Sequence, residues 1–200
     1  MAPARLKLLD AALSLIREQG YSATSIDALC ARAGVAKGSF FHHFADKQAL
    51  AVAAADHWSK TTSELFAAAP YHAAADPLDR LLGYIDFRRA LIARAIPEFT
   101  CLVGTMTQEV YQTHPAIRDA CEESISGHAA TLEADIAEAM QLYGVDGFTP
   151  RSLALHTQAV LQGAFILAKA KGEAAVAVDS VDHLRRYVGL LFSTRKGEAA

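Results

Sequence analysis

Thirty-one residues from Gly20 to Leu50, GYSATSIDALCARAGVAKGSFFHHFADKQAL, constrain this 200-residue chain more than any other segment. They read as two short helices joined by a tight turn, running on into the start of a longer helix. Before them, Leu6, Leu9, Leu13 and Ile16 recur at steps of three and four, so residues 7–19 predict a first helix with one apolar stripe. Gly20 follows, where a left-handed residue closes a helix end without a Cβ clash. Thr24 offers a side-chain oxygen to the free N–H groups of the second helix, and Asp27 three positions on makes a weaker form of the capping box. Ile26, Leu29, Cys30 and Ala33 supply that helix's apolar stripe, Gly34 breaks it, and Val35 plugs the corner. A third helix over residues 36–43 sets Lys37, Ser39 and His42 outward and Phe40 and Phe44 inward. This is the layout of a helix-turn-helix reader of DNA.

The pattern resembles the N-terminal domain of the TetR family of bacterial transcriptional repressors. The residues that carry the resemblance are Gly20, Tyr21, Thr24, Ser25, Ile26, Leu29, Ala33, Gly34, Val35, Gly38, Ser39, Phe40, His43, Phe44, Asp46, Lys47 and Leu50. The A-G-V turn alone is weak, but this many matches at fixed spacing are strong. Three positions depart from the family pattern. Ala36 replaces the usual Ser, which removes the best N-cap of the third helix and one phosphate donor. Phe41 replaces the usual Tyr and lacks its hydroxyl, and Cys30 stands where Ile or Ala is common. The expected DNA-binding set is Thr24, Ser25, Lys37, Gly38, Ser39, Phe41, His42, His43 and Lys47, with phosphates gripped by the lysines and by the N-termini of the second and fourth helices.

Charge is divided in a way that suits such a reader. The whole chain carries a net −3, but residues 1–50 hold a net +2 and the remainder a net −5. Local positive charge at the contact face is what DNA binding needs. Hydrophobic residues make up 52% of the chain, enough for a sizeable core beyond the small reader. No apolar run approaches membrane-spanning length and no signal peptide is legible, because Asp10, Arg17 and Glu18 interrupt the first helix. Three widely spaced cysteines argue against a disulfide scaffold and for a reducing, cytoplasmic setting.

The rest of the chain reads as helices, giving an all-α fold of about nine. A fourth runs over residues 47–68, with a loop over 70–75. Asp76 and Pro77 open a fifth that runs to about Ala95. Thr100 caps a sixth through Gln112, and a long seventh spans 116–143. Gly144, Gly147 and Pro150 mark a loop, and the eighth follows to about Lys171. Ser180 caps a ninth that ends near Thr194, and the tail from Arg195 to Ala200 reads as frayed. Two domains are expected: residues 1–46 as the helix-turn-helix, and 47–200 as a helical domain for effector binding and dimerisation. The eighth helix is apolar or small nearly all round (Leu155, Val160, Leu161, Ala164, Phe165, Leu167), and Gly163, Ala164 and Ala168 permit close helix approach. The ninth adds Val181, Leu184, Val188, Leu191 and Phe192. A homodimer through these two helices is expected, as the resemblance also implies, although both also read as core helices of a monomer. A dimer would present two readers to a near-palindromic operator.

The expected function is a DNA-binding transcriptional regulator: a repressor released by a small-molecule or reactive effector of unknown identity, with a TetR-like activator and a ligand-independent regulator as alternatives. Trp58, Phe87, Phe99, Met106, Tyr111 and Phe165 are pocket candidates that read equally as ordinary core. Cys101, at the start of the sixth helix, sits where a helix dipole favours thiolate. A similar C-L segment opens this helix in a branch of TetR-like regulators that includes electrophile sensors, and Lys169 stands where such regulators can carry a cation. Against this, Cys101 also reads as a small buried hydrophobe. A helical enzyme is the rival class, but no H-E-x-x-H, paired C-x-x-C, G-x-S-x-G or Gly-rich phosphate loop is present, and no metal or cofactor is expected.

Overall fold

The computed structural model describes residues 3–193, and among these residues it contains eleven α-helical segments and no strand. They are α1 (Pro3–Gln19), α2 (Ile26–Ala33), α3 (Lys37–His43) and α4 (Lys47–Ala67). After a 3-10 turn at Pro70–Ala73 come α5 (Pro77–Leu91), α6 (Ile96–Phe99), α7 (Leu102–Val110) and α8 (Pro115–Ala130). The last are α9 (Glu133–Tyr143), α10 (Pro150–Lys171) and α11 (Ala175–Ser193). The position Thr194 and the tail after it lie outside the described residues.

Packing divides the chain into two compact units, one of residues up to Glu64 with Thr100–Ile125, the other of Leu65–Phe99 with residues from Ser126 on. The expected boundary at residues 46 and 47 falls inside the first unit. In that unit, Leu8, Leu9, Ala12 and Ile16 of α1 meet Leu29 of α2, Phe40 of α3, Leu50 and Ala54 of α4, and Leu102, Met106 and Ile117 of α7 and α8 in one core. In the second unit, Leu81, Tyr84 and Ile85 of α5, Ile136 of α9, Leu161 and Phe165 of α10 and Val181, Leu184 and Val188 of α11 are buried.

Several helix ends differ from the sequence reading, each for a local reason. The N-cap of α2 is Ser25, whose Oγ accepts the N–H of Ala28 at 3.1 Å. Thr24 is turned inward instead and donates its hydroxyl to the Gly20 carbonyl at 2.7 Å. α5 ends at Leu91, where the Ile92 and Ala93 N–H groups bond three residues back, and Pro97 suits the first turn of a new helix. The Glu98 carboxylate there accepts the Ala95 N–H, which starts α6. The cap of α7 is Cys101, whose sulfur accepts the Gly104 N–H, and the Thr100 hydroxyl is buried without a hydrogen-bond partner. The long seventh helix is two: at Thr131 and Leu132 the N–H groups bond three residues back, and the Thr131 hydroxyl donates to the His128 carbonyl, competing with the helix ladder. Ser180 lies inside α11 with its hydroxyl on the Val176 carbonyl, since the Ala-rich run from Ala174 to Ala177 already favours helix.

Two caps give a stability test. Ser25→Ala should lower the unfolding free energy by about 1 kcal/mol in urea denaturation. Ala36 caps α3 with extended backbone and no side-chain bond, so Ala36→Ser should raise it by about 0.5 kcal/mol or more.

Candidate nucleic-acid interface

The surface that can meet DNA is one face of α3. Lys37, Gly38, Phe41 and His42 are exposed and share that face, while Phe40 and Phe44 anchor the helix in the core. Ser39 and His43 are half-buried beside them. Phe41 is 52% exposed, a large apolar side chain with no cover within the unit. At Gly38 an added Cβ would meet nothing within 4 Å, so the face is open there. Lys37 forms an exposed ion pair with Asp27 of α2 at 2.9 Å, which ties the start of α3 to its neighbour.

The turn before α2 is held by residues far away in sequence. The Glu109 carboxylate, at the end of α7, accepts the N–H of Tyr21 at 3.0 Å and of Ser22 at 2.9 Å. Gly20 has φ +90°, and a Cβ there would sit 2.4 Å from Glu109 Oε1. Both the backbone angle and the close approach therefore require glycine. From the other side, Lys47 donates its ammonium to the Tyr21 carbonyl at 3.1 Å and lies 4.2 Å from the centroid of the Tyr21 ring. Desolvation lowers the Lys47 pKa, and Glu109 opposes that shift. Lys47, expected from sequence to grip phosphate, is thus half-buried and engaged by the turn, and Thr24 is fully buried there. Glu109 carries no sequence signal for this role, because its partners are backbone groups.

The candidate effector residues are distributed between the two units. Trp58, Cys101, Met106 and Tyr111 belong to the first. Met106 is fully buried in its core, Trp58 is half-buried under the Arg17 guanidinium at 5.1 Å, and Tyr111 is exposed. Cys101 is half-buried, whereas Cys30 and Cys121 are buried. Desolvation raises both of those thiol pKa values, that of Cys121 to about 11. Phe87, Phe99, Phe165 and Lys169 belong to the second unit. There Phe99 and Phe165 pack together at 5.8 Å, Phe87 is half-buried against Phe66, and Lys169 is exposed on α10.

Sequence reading passed over a polar cluster inside the second unit. The fully buried Tyr84 phenol receives N–H bonds from Arg88 Nε and Gln158 Nε2, each at 3.0 Å, and lies 3.0 Å from His128 Nε2. Guanidinium and amide nitrogens only donate, so they fill the phenol's two lone pairs. The hydroxyl hydrogen must then go to His128 Nε2, which makes the imidazole neutral with its proton on Nδ1. Burial and the nearby Arg88 push the His128 pKa down to about 3, in keeping with that tautomer.

An open α3 face on a helix-turn-helix, with every element among the described residues helical, defines a DNA-binding protein of the all-α regulatory class. Residues 8–54 match the family model described as bacterial regulatory proteins, tetR family, and residues 77–184 match the tetracyclin repressor-like C-terminal domain. The chain belongs to the TetR family of transcriptional regulators. It is 31% identical over 107 residues to the transcriptional regulator AcuR of Cereibacter sphaeroides, covering 54% of this chain and 49% of that one. It is 24% identical over 171 residues to the HTH-type transcriptional regulator LmrA of Bacillus subtilis, covering 82% and 85%. A third relative, the repressor DhaR of a Mycobacterium, is 26% identical with 58% and 57% covered, so the match spans about half the length of two of these three. Two solved structures share the fold. A TetR-family regulator from Agrobacterium tumefaciens has a TM-score of 0.81 at 22% identity, with 92% and 96% covered. The reduced form of E. coli NemR has 0.78 at 21%, with 92% and 95% covered. These families and relatives are transcriptional regulators and not enzymes. No described helix is long and apolar enough to cross a membrane.

Two outcomes test this geometry. Glu109→Gln keeps one acceptor but turns an N–H toward the second donor, so stability should fall by about 1–3 kcal/mol, and hydrogen exchange at the Tyr21 and Ser22 amides should accelerate. For His128 the folded pKa lies below the usual value, so its contribution is present above about 6.5 and is lost as pH falls toward about 3. His128→Gln should flatten that part of the stability-versus-pH curve measured by thermal unfolding.

Proposed function

We propose that this protein is a homodimeric repressor that binds a near-palindromic operator and is released by a small-molecule effector, with residues 1–46 as reader and 47–200 as effector and dimer domain. The observation that carries the reading is the exposed α3 face of Lys37, Gly38, Phe41 and His42 on a well-packed helix-turn-helix. Ser25 and Ser39 flank it, with Thr24, His43 and Lys47 supporting it from behind.

The dimer reading has a definite surface. On α10, Leu155, Ile166 and Leu167 are exposed on one face, with Gly163 between them where an added Cβ would meet nothing. Tyr187 and Leu190 continue it on α11, and the rings of His156 and Tyr187 lie 5.3 Å apart. Of the residues that sequence periodicity favours on α11, Leu191 is half-buried, and Val181, Leu184, Val188 and Phe192 face the subunit's own core. So do Leu161, Ala164, Phe165 and Ala168 of α10. The outer face is therefore Leu155, Ile166, Leu167, Tyr187 and Leu190, a patch of the kind that marks an interface. Two readers related by a two-fold axis would enter major grooves about 34–36 Å apart.

A second reading concerns the trigger. Cys101 is the half-exposed thiol of the three, at the N-cap of α7, and Glu109 at the other end of that helix holds the reader's turn. Alkylation at Cys101 would disturb the start of α7 and reach the reader through it.

Gel shift on the protein's own promoter region tests the main reading: specific binding should exceed that to random duplex. Lys37→Ala should weaken all sequences alike and reduce the salt slope by roughly one unit, while His42→Ala should change preference among operator variants. Equal binding to random duplex would sink the repressor reading. Leu167→Glu with Leu190→Glu should yield monomers in analytical ultracentrifugation. For the trigger, N-ethylmaleimide should label Cys101 before Cys30 or Cys121 and release DNA, and Cys101→Ser, which still caps α7, should bind DNA but resist release. Release of both proteins alike by the reagent would reject Cys101 as the sensor and leave the repressor reading standing.

A further inference from the structure

Three arginines of the second unit are tied to acids within it. Arg80 pairs with Asp135 and Glu138, Arg89 with Asp182, and Arg185 with Asp86. Arg88, on the same helix as Arg80 and Arg89, forms no ion pair with any described acid. Its Nε is held by the Tyr84 phenol. Its guanidinium carbon lies 4.5 Å from the Phe66 ring centroid and 5.5 Å from that of Tyr84. The side chain is half-buried, its hydrogen bond within the described residues is through Nε, and the Tyr84 bond and the ring contacts hold the guanidinium in one orientation, which leaves the Nη pair without a described acceptor.

The same neighbourhood is aromatic. Phe66 touches Phe87 at 5.3 Å and Tyr84 at 5.5 Å, and Tyr71 lies 6.1 Å from Phe87. Gly83 lets the 3-10 turn come this near, since a Cβ there would sit 2.7 Å from Tyr71 Cβ. A planar guanidinium with two parallel N–H donors matches a carboxylate in bidentate fashion, and an ammonium would not. The neutral His128 beside it contributes no second cation of the kind that a doubly charged phosphate would call for.

We infer that Arg88 anchors a small-molecule site in the second unit, and that its ligand is a small organic acid whose carboxylate meets the Arg88 Nη pair while its apolar body lies against Phe66, Phe87 and Tyr71. That this acid is the effector rests on the function proposed above; the site itself does not.

The test uses the full chain and four probes at matched ionic strength: sodium benzoate and sodium butanoate, and their uncharged counterparts benzamide and butanamide. Both acids should raise the thermal unfolding midpoint saturably, and both amides should not. In calorimetry Arg88→Gln should lose at least tenfold in benzoate affinity and Arg88→Lys a smaller part, and Phe87→Ala, which keeps the cation, should weaken benzoate more than butanoate. If Arg88→Gln does not fold, the acid–amide comparison on the wild type and the Phe87→Ala result still decide. The inference is overturned if the acids bind no better than the amides, if Arg88→Gln binds benzoate as the wild type does, or if inorganic phosphate binds as tightly as benzoate. Operator release is scored separately. Acid binding through Arg88 without release would uphold the site and count against its role as effector, whereas failure to bind operator at all would reject the repressor reading with the calorimetry unaffected.

Discussion

One carboxylate at the end of α7 receives two backbone N–H groups from the turn between α1 and α2, and the attitude of the reader depends on it. Glu109 meets Tyr21 and Ser22 across 88 and 87 residues of sequence, in the charge-assisted class of hydrogen bond that is stronger than its neutral counterpart. The glycine at position 20 is what lets the carboxylate come so close, and the Lys47 ammonium closes the turn from the side of α4. α2 can lie against α1 at one angle only while this turn keeps its shape. α3, short and without a side-chain N-cap, takes its position from α2 and from the burial of Phe40 and Phe44. The same helix is capped at its other end by Cys101, the half-buried thiol, while its last turn holds the turn before α2.

This arrangement changes what the basic residues of the N-terminal quarter are for. Lys47 is engaged by Tyr21, Arg32 by Glu18 and Ser14, and Lys37 by Asp27 at the edge of α3. The Glu18 carboxyl, held by Arg32 and Ser14, titrates at about 2, so that pair stays ionised across the physiological range. The modest net charge of this segment is therefore partly internal scaffolding. What faces outward from α3 is one paired lysine, an open glycine, an aromatic ring and an imidazole, a surface suited to base edges and grooves as much as to phosphate.

In the second unit the division between inside and outside is sharp along α10 and α11. One face of each carries the residues that fill the core, and the opposite face carries exposed large apolar residues, Leu155, Ile166 and Leu167 on α10 and Tyr187 and Leu190 on α11. Inside, the Tyr84 phenol is saturated by three partners, a fully satisfied buried network that fixes both the rotamer of Arg88 and the tautomer of His128. A cation held this firmly, with no ion pair to a described acid, stands apart from its paired neighbours Arg80 and Arg89 on α5.

The helix-turn-helix was legible in the sequence because its determinants are local. Apolar spacing, Gly34 in the left-handed region at φ 63°, and Phe40 and Phe44 four residues apart act within a few turns of backbone. The end of α10 near Lys171 is local too, with Gly172 beyond it in the left-handed region at φ 69°. The break at Thr131 and Leu132 was not legible, since no Gly or Pro marks it. Nor was the choice of Ser25 over the adjacent Thr24 as cap, because either hydroxyl serves and the burial of Thr24 decides. Periodicity places Val181, Leu184 and Val188 on an apolar face but cannot say whether the same chain or another covers it. Glu109 on a backbone turn and Tyr84 under Gln158 are partnerships across 88 and 74 residues. Such pairs leave no repeat in the sequence, and only the folded chain brings them within hydrogen-bonding distance.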